Sequence, residues 1–150
     1  MKKRNEYIMN YDRVAHLGFI MEAINRTKEA SSNCKKLALM LFFTSSLLPN
    51  IITTNVTFND KIISFLTIVI IWIICVLWYL DAGYMRQEQL YFKLYDAVRL
   101  DEGNLISPYD MSLSSFEREV DSVLHIMRSS NIRYIYSIIF NSILYNQSVA

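Results

Sequence analysis

The chain has few of the residues that build phosphate-binding turns, disulfides and metal sites. Its 150 residues include only three glycines, two cysteines and two histidines. Scattered glycines cannot form the Gly-rich loop that holds phosphates, and the Cys and His spacing matches no metal-ligand motif. No serine has a neighbouring base in a recognisable arrangement. We therefore expect no enzyme activity, no cofactor and no bound metal.

The charges are nearly balanced in number but unevenly distributed. A formal net charge of +1 at pH 7 argues against a dedicated nucleic-acid-binding surface. Residues 1–36 carry eight Lys and Arg against four acidic residues, whereas residues 81–150 carry six against nine. Between these regions the apolar residues are gathered into blocks. That distribution, more than the hydrophobic content of 53%, indicates a membrane protein.

One apolar block is long enough to cross a bilayer. Residues 62–80 read IISFLTIVIIWIICVLWYL, which is 19 residues without a charge. As a helix they would span roughly 28 Å, close to the thickness of the hydrocarbon core of a bilayer. Trp78 and Tyr79 suit a membrane–water interface. We predict a transmembrane helix over 62–80.

A second uncharged block precedes the first. Residues 37–54 read LALMLFFTSSLLPNIITT, and residues 55–61 leave room only for a tight turn. The polar side chains of this block, which include Thr44, Ser45 and Ser46, should face other helices or water instead of lipid. The two blocks together predict a transmembrane hairpin.

Basic residues flank the hairpin on one side. Lys35 and Lys36 precede the first block and Arg86 follows the second, while the turn carries a balanced Asp60 and Lys61. By the positive-inside rule, both termini should lie in the cytoplasm and the turn outside.

The segments next to the hairpin have helical periodicity. Asp12 fits the N-cap of an amphipathic helix that runs to about Ser31, and His16 is expected to contact Asp12 locally. Past Gly83 the periodicity continues, so the second transmembrane helix should extend unbroken to about Leu100. The tyrosine-rich side of this extension should pack against the amino-terminal helix or a neighbouring subunit.

The carboxy-terminal part should contain turns and two more helices. Residues 101–104 should end the long helix, and residues 107–110 should form a turn. Ser114 and Glu117 match the capping box of a following helix. Residues 132–144 are too few to span a bilayer, which predicts an interfacial or protein-buried helix; a short third insertion is the alternative.

The predicted fold class is an all-α integral membrane protein that forms a homo-oligomer. Residues 1–36 form a cytoplasmic amphipathic helix, 37–80 the transmembrane hairpin, and 81–150 a cytoplasmic helical stalk with carboxy-terminal helices. A hairpin of two helices cannot enclose water alone, so conduction would require several copies around an axis. A tetramer is one candidate assembly.

Residues 78–95 carry a resemblance to a known group of proteins. They read WYLDAGYMRQEQLYFKLY, which resembles a pattern in small bacterial membrane proteins where Trp-x-Leu-Asp precedes an aromatic-x-Arg-x-Glu run and a Leu-Tyr pair. Some of those proteins are membrane effectors of anti-phage defence, and the arrangement is similar to the channel-forming effectors of Hailong systems. The resemblance implies a channel in the bacterial inner membrane. It also implies gating by an oligonucleotide or cyclic-nucleotide signal from a partner nucleotidyltransferase.

Three groups of residues are candidates for such a function. The first is the pore lining, for which the hydroxyl residues of the first block, Thr44, Ser45 and Ser46, are suited; the alternative is that these hydroxyls bond to neighbouring backbones. The second is an inter-subunit or gating network of Asp81, Arg86 and Glu88, which the resemblance favours over a solvated juxtamembrane belt. The third is a ligand contact through phosphate pairing and base stacking, with candidates Lys35, Lys36, Arg86 and Tyr91.

The leading functional hypothesis is thus a gated homo-oligomeric channel that depolarises the membrane. The competing hypothesis is a non-conducting anchor or assembly protein that docks a cytosolic partner. A regulatory subunit of a transporter is a third alternative.

Overall fold

Four α-helices make up nearly all of the described chain. The computed structural model describes residues 2–55, 60–100, 107 and 109–149, with side chains described at 12–45, 47, 65–100, 107, 109–129 and 132–143. Within these residues every regular element is helical. The elements in chain order are α1 (Lys2–Asn55), α2 (Asp60–Leu100), a 3₁₀ turn (Ser114–Phe116), α3 (Val123–Arg128) and α4 (Ser130–Val149).

Helix α1 is one continuous helix of 54 residues. The sequence predicted a separate amphipathic helix that begins at Asp12 and a membrane helix that begins near Leu37, and the first of these boundaries is wrong. Asp12 lies inside α1, so it cannot be an N-cap. The predicted end near Ser31 is not observed either, since neither Pro nor Gly stands between Ser31 and Leu37 to end the helix.

Helix α2 confirms the prediction of an unbroken helix to Leu100. Gly83 does not interrupt it, and a Cβ built at Gly83 would meet nothing within 4 Å. In the described part of the chain, one helix is long and apolar enough to cross a membrane: the stretch Phe65–Leu100, whose most apolar window has a mean hydropathy of 2.3. Only 17% of that window is buried within the chain. Its outer face is therefore a continuous apolar surface.

Helices α1 and α2 pack side by side and antiparallel. Ile20 and Ile24 of α1 form a buried cluster with Leu94 and Val98 of α2. Nearer the turn between the helices, Lys28 pairs with Glu88 and Lys35 with Asp81. The partly buried rings of Tyr91 and Tyr95 pack on the Ile20 cluster. Of the two partners expected for the tyrosine-rich side, α1 of the same chain is the one observed.

We call residues 37–55 of α1 with 60–80 of α2 the apolar half of the hairpin, and residues 12–36 with 81–100 the polar half. The two halves differ in what their surfaces expose. Phe65, Ile68 and Trp72 in the apolar half are 64%, 65% and 68% exposed. In the polar half, most exposed positions are occupied by charged or amide side chains, such as Glu22 and Arg26.

The segment between α2 and α4 crosses the polar half. A turn closes through a bond from Asp110 N to Ser107 O at 3.1 Å, as the sequence predicted. The predicted capping box at Ser114 is wrong, because Ser114 begins only a 3₁₀ turn and its hydroxyl lies 3.0 Å from that of Ser112. The helix begins later, at Val123, where the Ser122 hydroxyl accepts the His125 N–H at 3.3 Å.

Helix α4 packs against α1 and α2. Ile132, Tyr136, Ile139 and Ile143 form one buried stripe on this helix. The stripe shares a cluster with Ala38 and Ile74, and with the partly buried side chains of Ile70, Ile71, Leu77 and Phe42. Of the two predicted locations for 132–144, interfacial or protein-buried, this stripe fits the second along one face. The helix is also longer than predicted, at 20 residues.

Candidate functional site

A fully buried carboxylate joins α1 to α2 where the apolar and polar halves of the hairpin meet. Asp81 is 0% exposed. Its Oδ1 accepts a hydrogen bond from the Ser31 hydroxyl at 2.5 Å and lies 3.1 Å from Lys35 Nζ. Lys35 Nζ also donates to Ser31 Oγ at 2.8 Å, which closes a three-membered polar centre. A buried charge requires such compensation, because desolvation of an unpaired carboxylate is costly.

The sequence explains why these three side chains meet. Ser31 and Lys35 are four residues apart, so they lie on the same face of α1. Ala38 and Ala82 are both 0% exposed beside them. Small side chains allow two helix backbones to approach closely. The Lys35 side chain is 28% exposed and so reaches from the buried carboxylate towards the surface.

The polar centre is incompletely satisfied. Among the described residues, Asp81 Oδ2, the Tyr136 hydroxyl and Trp78 Nε1 are buried without a hydrogen bond of good geometry. The Tyr136 hydroxyl is nevertheless close enough to the Asp81 carboxylate to interact with it. The rings of Trp78 and Tyr136 stack with centroids 5.7 Å apart. Helix α4 therefore also contacts the polar centre, through Tyr136.

Cys34 borders the same centre. It is 7% exposed and it is not in a disulfide. Burial raises the pKa of its thiol; the negative charge of Asp81 raises the pKa further, and the positive charge of Lys35 lowers it. The thiol is therefore neutral and poorly nucleophilic at neutral pH. Cys34 therefore behaves as a small apolar residue in this position.

The three residues predicted to form an inter-subunit network instead have partners within the chain. Asp81 binds Ser31 and Lys35, as described. Glu88 pairs with Lys28 at 3.8 Å on the polar half. The antiparallel packing of α1 supplies cations opposite both acids within one chain, and the network between subunits stays a prediction.

Arg86, the third member, holds the segment that precedes α3. Its guanidinium donates to the backbone carbonyl oxygens of Asp121 at 3.2 Å and Glu117 at 3.4 Å. Arginine offers several donors in a rigid planar group, so it can bind two carbonyls at once. Arg86 therefore fixes residues 117–121 against α2.

The proposed pore-lining hydroxyls bond to their own helix. Thr44 Oγ1 donates to Met40 O at 2.7 Å, and Ser45 Oγ donates to Phe42 O at 2.8 Å. Thr44 is exposed and Ser45 is half-buried. The side chain of Ser46 lies outside the described residues. Each bonded hydroxyl keeps acceptor lone pairs, but its proton is used within α1.

The four predicted ligand contacts do not form one site. Lys35 is engaged with Asp81 and Ser31, and Arg86 with two carbonyl oxygens. Lys36 is exposed on α1. Tyr91 alone of the four lines the cleft described next.

An open cleft of about 620 Å³ lies on the polar half, between α1, α2 and the 107–111 turn. Pockets that bind small molecules usually have volumes of roughly 300–1,000 Å³ and mostly apolar walls with a few polar groups. The walls of this cleft fit that description. They include His16, Phe19, Arg26, Tyr91, Tyr109 and Met111.

The 107–111 turn is fixed over the cleft by two contacts with α1. His16 Nε2 lies 3.0 Å from the carbonyl oxygen of Asp110, to which it donates when that nitrogen carries the proton. The Tyr109 hydroxyl donates to Asp12 Oδ1 at 3.2 Å. His16 and Asp12 thus each bind the 107–111 turn. These contacts to the turn stand in place of the local contact that was predicted between the two side chains.

Tyr109 itself has an unusual backbone conformation. Its φ of 65° lies in the left-handed region that bulky residues rarely adopt. The conformation places the Tyr109 ring 6.0 Å from the His16 ring and 5.9 Å from the Phe19 ring, measured between centroids. Backbone strain of this kind persists only where surrounding contacts hold it and is concentrated at functional sites.

Arg26 supplies the positive charge at the cleft. Its guanidinium contacts Glu22 on the same helix at 2.5 Å, but the two side chains are 77% and 55% exposed. Ion pairs at such exposure contribute little stability, because water and salt screen them. An anionic ligand group could therefore replace Glu22 as the partner of Arg26.

The sequence carries only a partial signal for this cleft. It predicts that His16 lies on an amphipathic helix, but Tyr109 is ninety or more residues away from His16 in sequence. No local periodicity can pair positions so far apart. Of the residues that line the cleft, Tyr91 is the one predicted as a ligand contact.

Among the side chains that the structure describes, no group of three or more His, Cys, Asp or Glu is arranged to hold a metal ion. Comparisons with protein-family models, with curated proteins and with solved structures find no match for this chain, so the resemblance over residues 78–95 rests on its own motif.

Proposed function

We propose that this protein is a membrane effector of bacterial anti-phage defence. It acts as a homo-oligomeric ion channel that depolarises the inner membrane and is gated by a nucleotide or oligonucleotide signal. The hairpin crosses the bilayer through 37–54 and 62–80, and the polar half of the hairpin lies in the cytoplasm. The exposed apolar face of α2 supports the membrane location, because water would disfavour so much uncovered apolar surface.

The observation that carries the proposal is that α1 and α2 each run unbroken from the cleft into the apolar half. Any tilt or slide of α1 against α2 at the cleft is therefore transmitted directly along two continuous helices. Between these two ends lies the polar centre at Asp81, where Ser31 and Lys35 of α1 bind the buried carboxylate of α2, so such movement would change these contacts. No separate linker is needed for coupling.

In this mechanism the cleft is the ligand site. Phe19, Tyr91 and Tyr109 provide ring faces on which a nucleobase can stack, and Arg26 provides a cation for a phosphate. A ligand shifts gating only if it binds the open and closed states unequally. Residues of α1, α2 and the 107–111 turn all line the cleft. A movement of one helix against the other would therefore change the shape of the cleft and with it the affinity for a ligand.

Ion flux from proteoliposomes, with and without short oligonucleotides, tests the proposal. Arg26→Ala should weaken the oligonucleotide effect without preventing oligomer formation, since Arg26 is exposed and, among the described residues, pairs with Glu22 of its own helix. Arg99→Ala is the matched control, because Arg99 is also exposed and paired on its own helix, with Asp96 at 3.3 Å. Equal responses of the two variants and the unmodified protein would remove the cleft from the mechanism.

One observation favours the alternative, a non-conducting anchor for a cytosolic partner. The described hydroxyls of the first block, Thr44 and Ser45, donate to backbone carbonyls of α1. This agrees with the alternative in which these hydroxyls bond to backbone carbonyls and do not line a water-filled pore. Ligand-independent absence of flux from folded, oligomeric protein would support the anchor.

A further inference from the structure

The starting observation is the direction of α4. Arg86 of α2 binds the carbonyl oxygen of Asp121, so the chain just before α3 lies beside position 86. Further along, the Trp78 ring lies 5.7 Å from the Tyr136 ring and 6.2 Å from the Phe140 ring. Higher-numbered residues of this segment therefore contact lower-numbered residues of α2. Helix α4 runs antiparallel to α2, towards the apolar half of the hairpin.

The depth that α4 reaches follows from the same contacts. Ile143 is 3% exposed and belongs to the cluster that includes Ile74, Ile70 and Ile71. These isoleucines lie in the middle of the apolar block 62–80. Helix α4 is 20 residues long, or about 30 Å, comparable to the hydrocarbon core of a bilayer. Its sequence carries no charge after Arg133.

We infer that α4 is a third membrane-embedded helix, and that its outer face lines the water-filled axis between copies of this chain. The inference rests on the proposed function, since it takes residues 62–80 to lie in the bilayer. If α2 is embedded there, α4 is embedded beside it to at least the depth of Ile74. A helix with this packing cannot lie in the interface plane.

The outer face of α4 determines what it meets. Opposite the buried stripe lie three exposed residues, Tyr134, Ile138 and Asn141. The half-buried Ser137 donates its hydroxyl proton to backbone carbonyls of α4, which leaves Tyr134 and Asn141 as the polar side chains of this otherwise apolar face. Asn141 follows Phe140 directly, so it lies at or beyond the depth of Trp78. An amide with unpaired donors and acceptors is unfavourable in contact with lipid tails.

The corresponding face of α2 differs in character. Phe65, Ile68, Trp72 and Val76 are exposed there and all are apolar. Lipid should therefore contact α2, and the polar face of α4 should meet the same face of other copies around an axis. Isologous or cyclic contacts of this kind bring Asn141 of neighbouring subunits close together. In this arrangement α4, and not the first block with Thr44 and Ser45, supplies the polar wall of the pore.

Single-cysteine variants in proteoliposomes test the inference, in a background where Cys34 and Cys75 are replaced by alanine. Asn141→Cys should react with a charged, water-soluble methanethiosulfonate and form disulfide-linked dimers on mild oxidation. Ile68→Cys is the control, since Ile68 is 65% exposed on the apolar outer face of α2 and should do neither. Modification of Asn141→Cys should also remove most of the channel current.

The remaining outcomes separate the inference from the function on which it rests. If Asn141→Cys neither reacts nor cross-links while Ile68→Cys is also protected, the outer face of α4 meets lipid and the inference is wrong. Reaction without cross-linking would overturn the contact between copies, and cross-linking without reaction would overturn the water-filled axis. If Ile68→Cys itself reacts with the charged reagent, residues 62–80 are not in a bilayer, and the proposed function fails.

Discussion

Replacement of Lys35 by methionine should destabilise the protein strongly, because it leaves the Asp81 carboxylate buried without its cation. Removing one partner of a buried ion pair costs about 3–5 kcal/mol. Lys35 is 28% exposed, so water can enter where its ammonium lay, and the Ser31 hydroxyl still binds Oδ1. We therefore expect a loss of about 2–4 kcal/mol in the free energy of unfolding, somewhat below the fully buried case.

Two comparisons isolate the cause of this loss. Lys28→Met removes a cation 3.8 Å from Glu88 whose own side chain is 50% exposed, so it should cost only about 0–1 kcal/mol. In the double variant Lys35→Met with Asp81→Asn, the buried charge is absent, and most of the lost stability should return. Asp81→Asn alone should cost less than Lys35→Met, since the freed Lys35 ammonium can reach water.

The assay is equilibrium unfolding in mixed micelles, followed by far-ultraviolet circular dichroism during titration with sodium dodecyl sulfate. The reasoning would be refuted if Lys35→Met and Lys28→Met were equally mild. It would also be refuted if Asp81→Asn failed to rescue Lys35→Met, because the loss would then come from packing of the lysine stem.

Further predictions concern packing, capping and thiol reactivity. Ile24→Ala should lower the free energy of unfolding by about 2–5 kcal/mol, because Ile24 is fully buried in the α1–α2 cluster; the same micelle titration measures it. Ser122→Ala should cost about 0.5–2 kcal/mol and Ser114→Ala almost nothing, which would reverse if the capping box were real. In mild detergent, N-ethylmaleimide should label Cys34 slowly at pH 7 and much faster once the protein is unfolded in sodium dodecyl sulfate, as followed by mass spectrometry, since burial raises the pKa of Cys34 and shields it; equal rates in the two states would contradict the buried polar centre.

Periodicity and hydrophobicity made the long elements predictable from sequence. The uninterrupted helix through Gly83 to Leu100 followed from spacing, whereas the stop predicted at residues 101–104 lies outside the described residues. The capping assignments failed because a Ser or Asp only favours a helix start, and neighbouring helix-forming residues can override that local preference. Asp12 lies inside α1 and Ser114 precedes a mere 3₁₀ turn for this reason.

The candidate sites were less predictable because they depend on contacts distant in sequence. Asp81 was recognised as unusual at the membrane boundary, but its partners Ser31 and Lys35 are set by the register of α1 against α2. That register results from the packing of whole helix faces, so it cannot be recognised in the sequence of either helix alone. The position of α4 beside the apolar half is a second case, since a short apolar helix has the same sequence whether it packs on protein or lies on a membrane surface.

Single-channel recording from purified protein in planar bilayers tests the central claim most directly. A gated homo-oligomeric channel predicts discrete conductance steps whose open probability changes when short oligonucleotides are added to the side that carries the polar half. Silent bilayers from protein shown to be folded, inserted and oligomeric, with every oligonucleotide tested, would contradict the channel and leave the membrane anchor as the function to pursue.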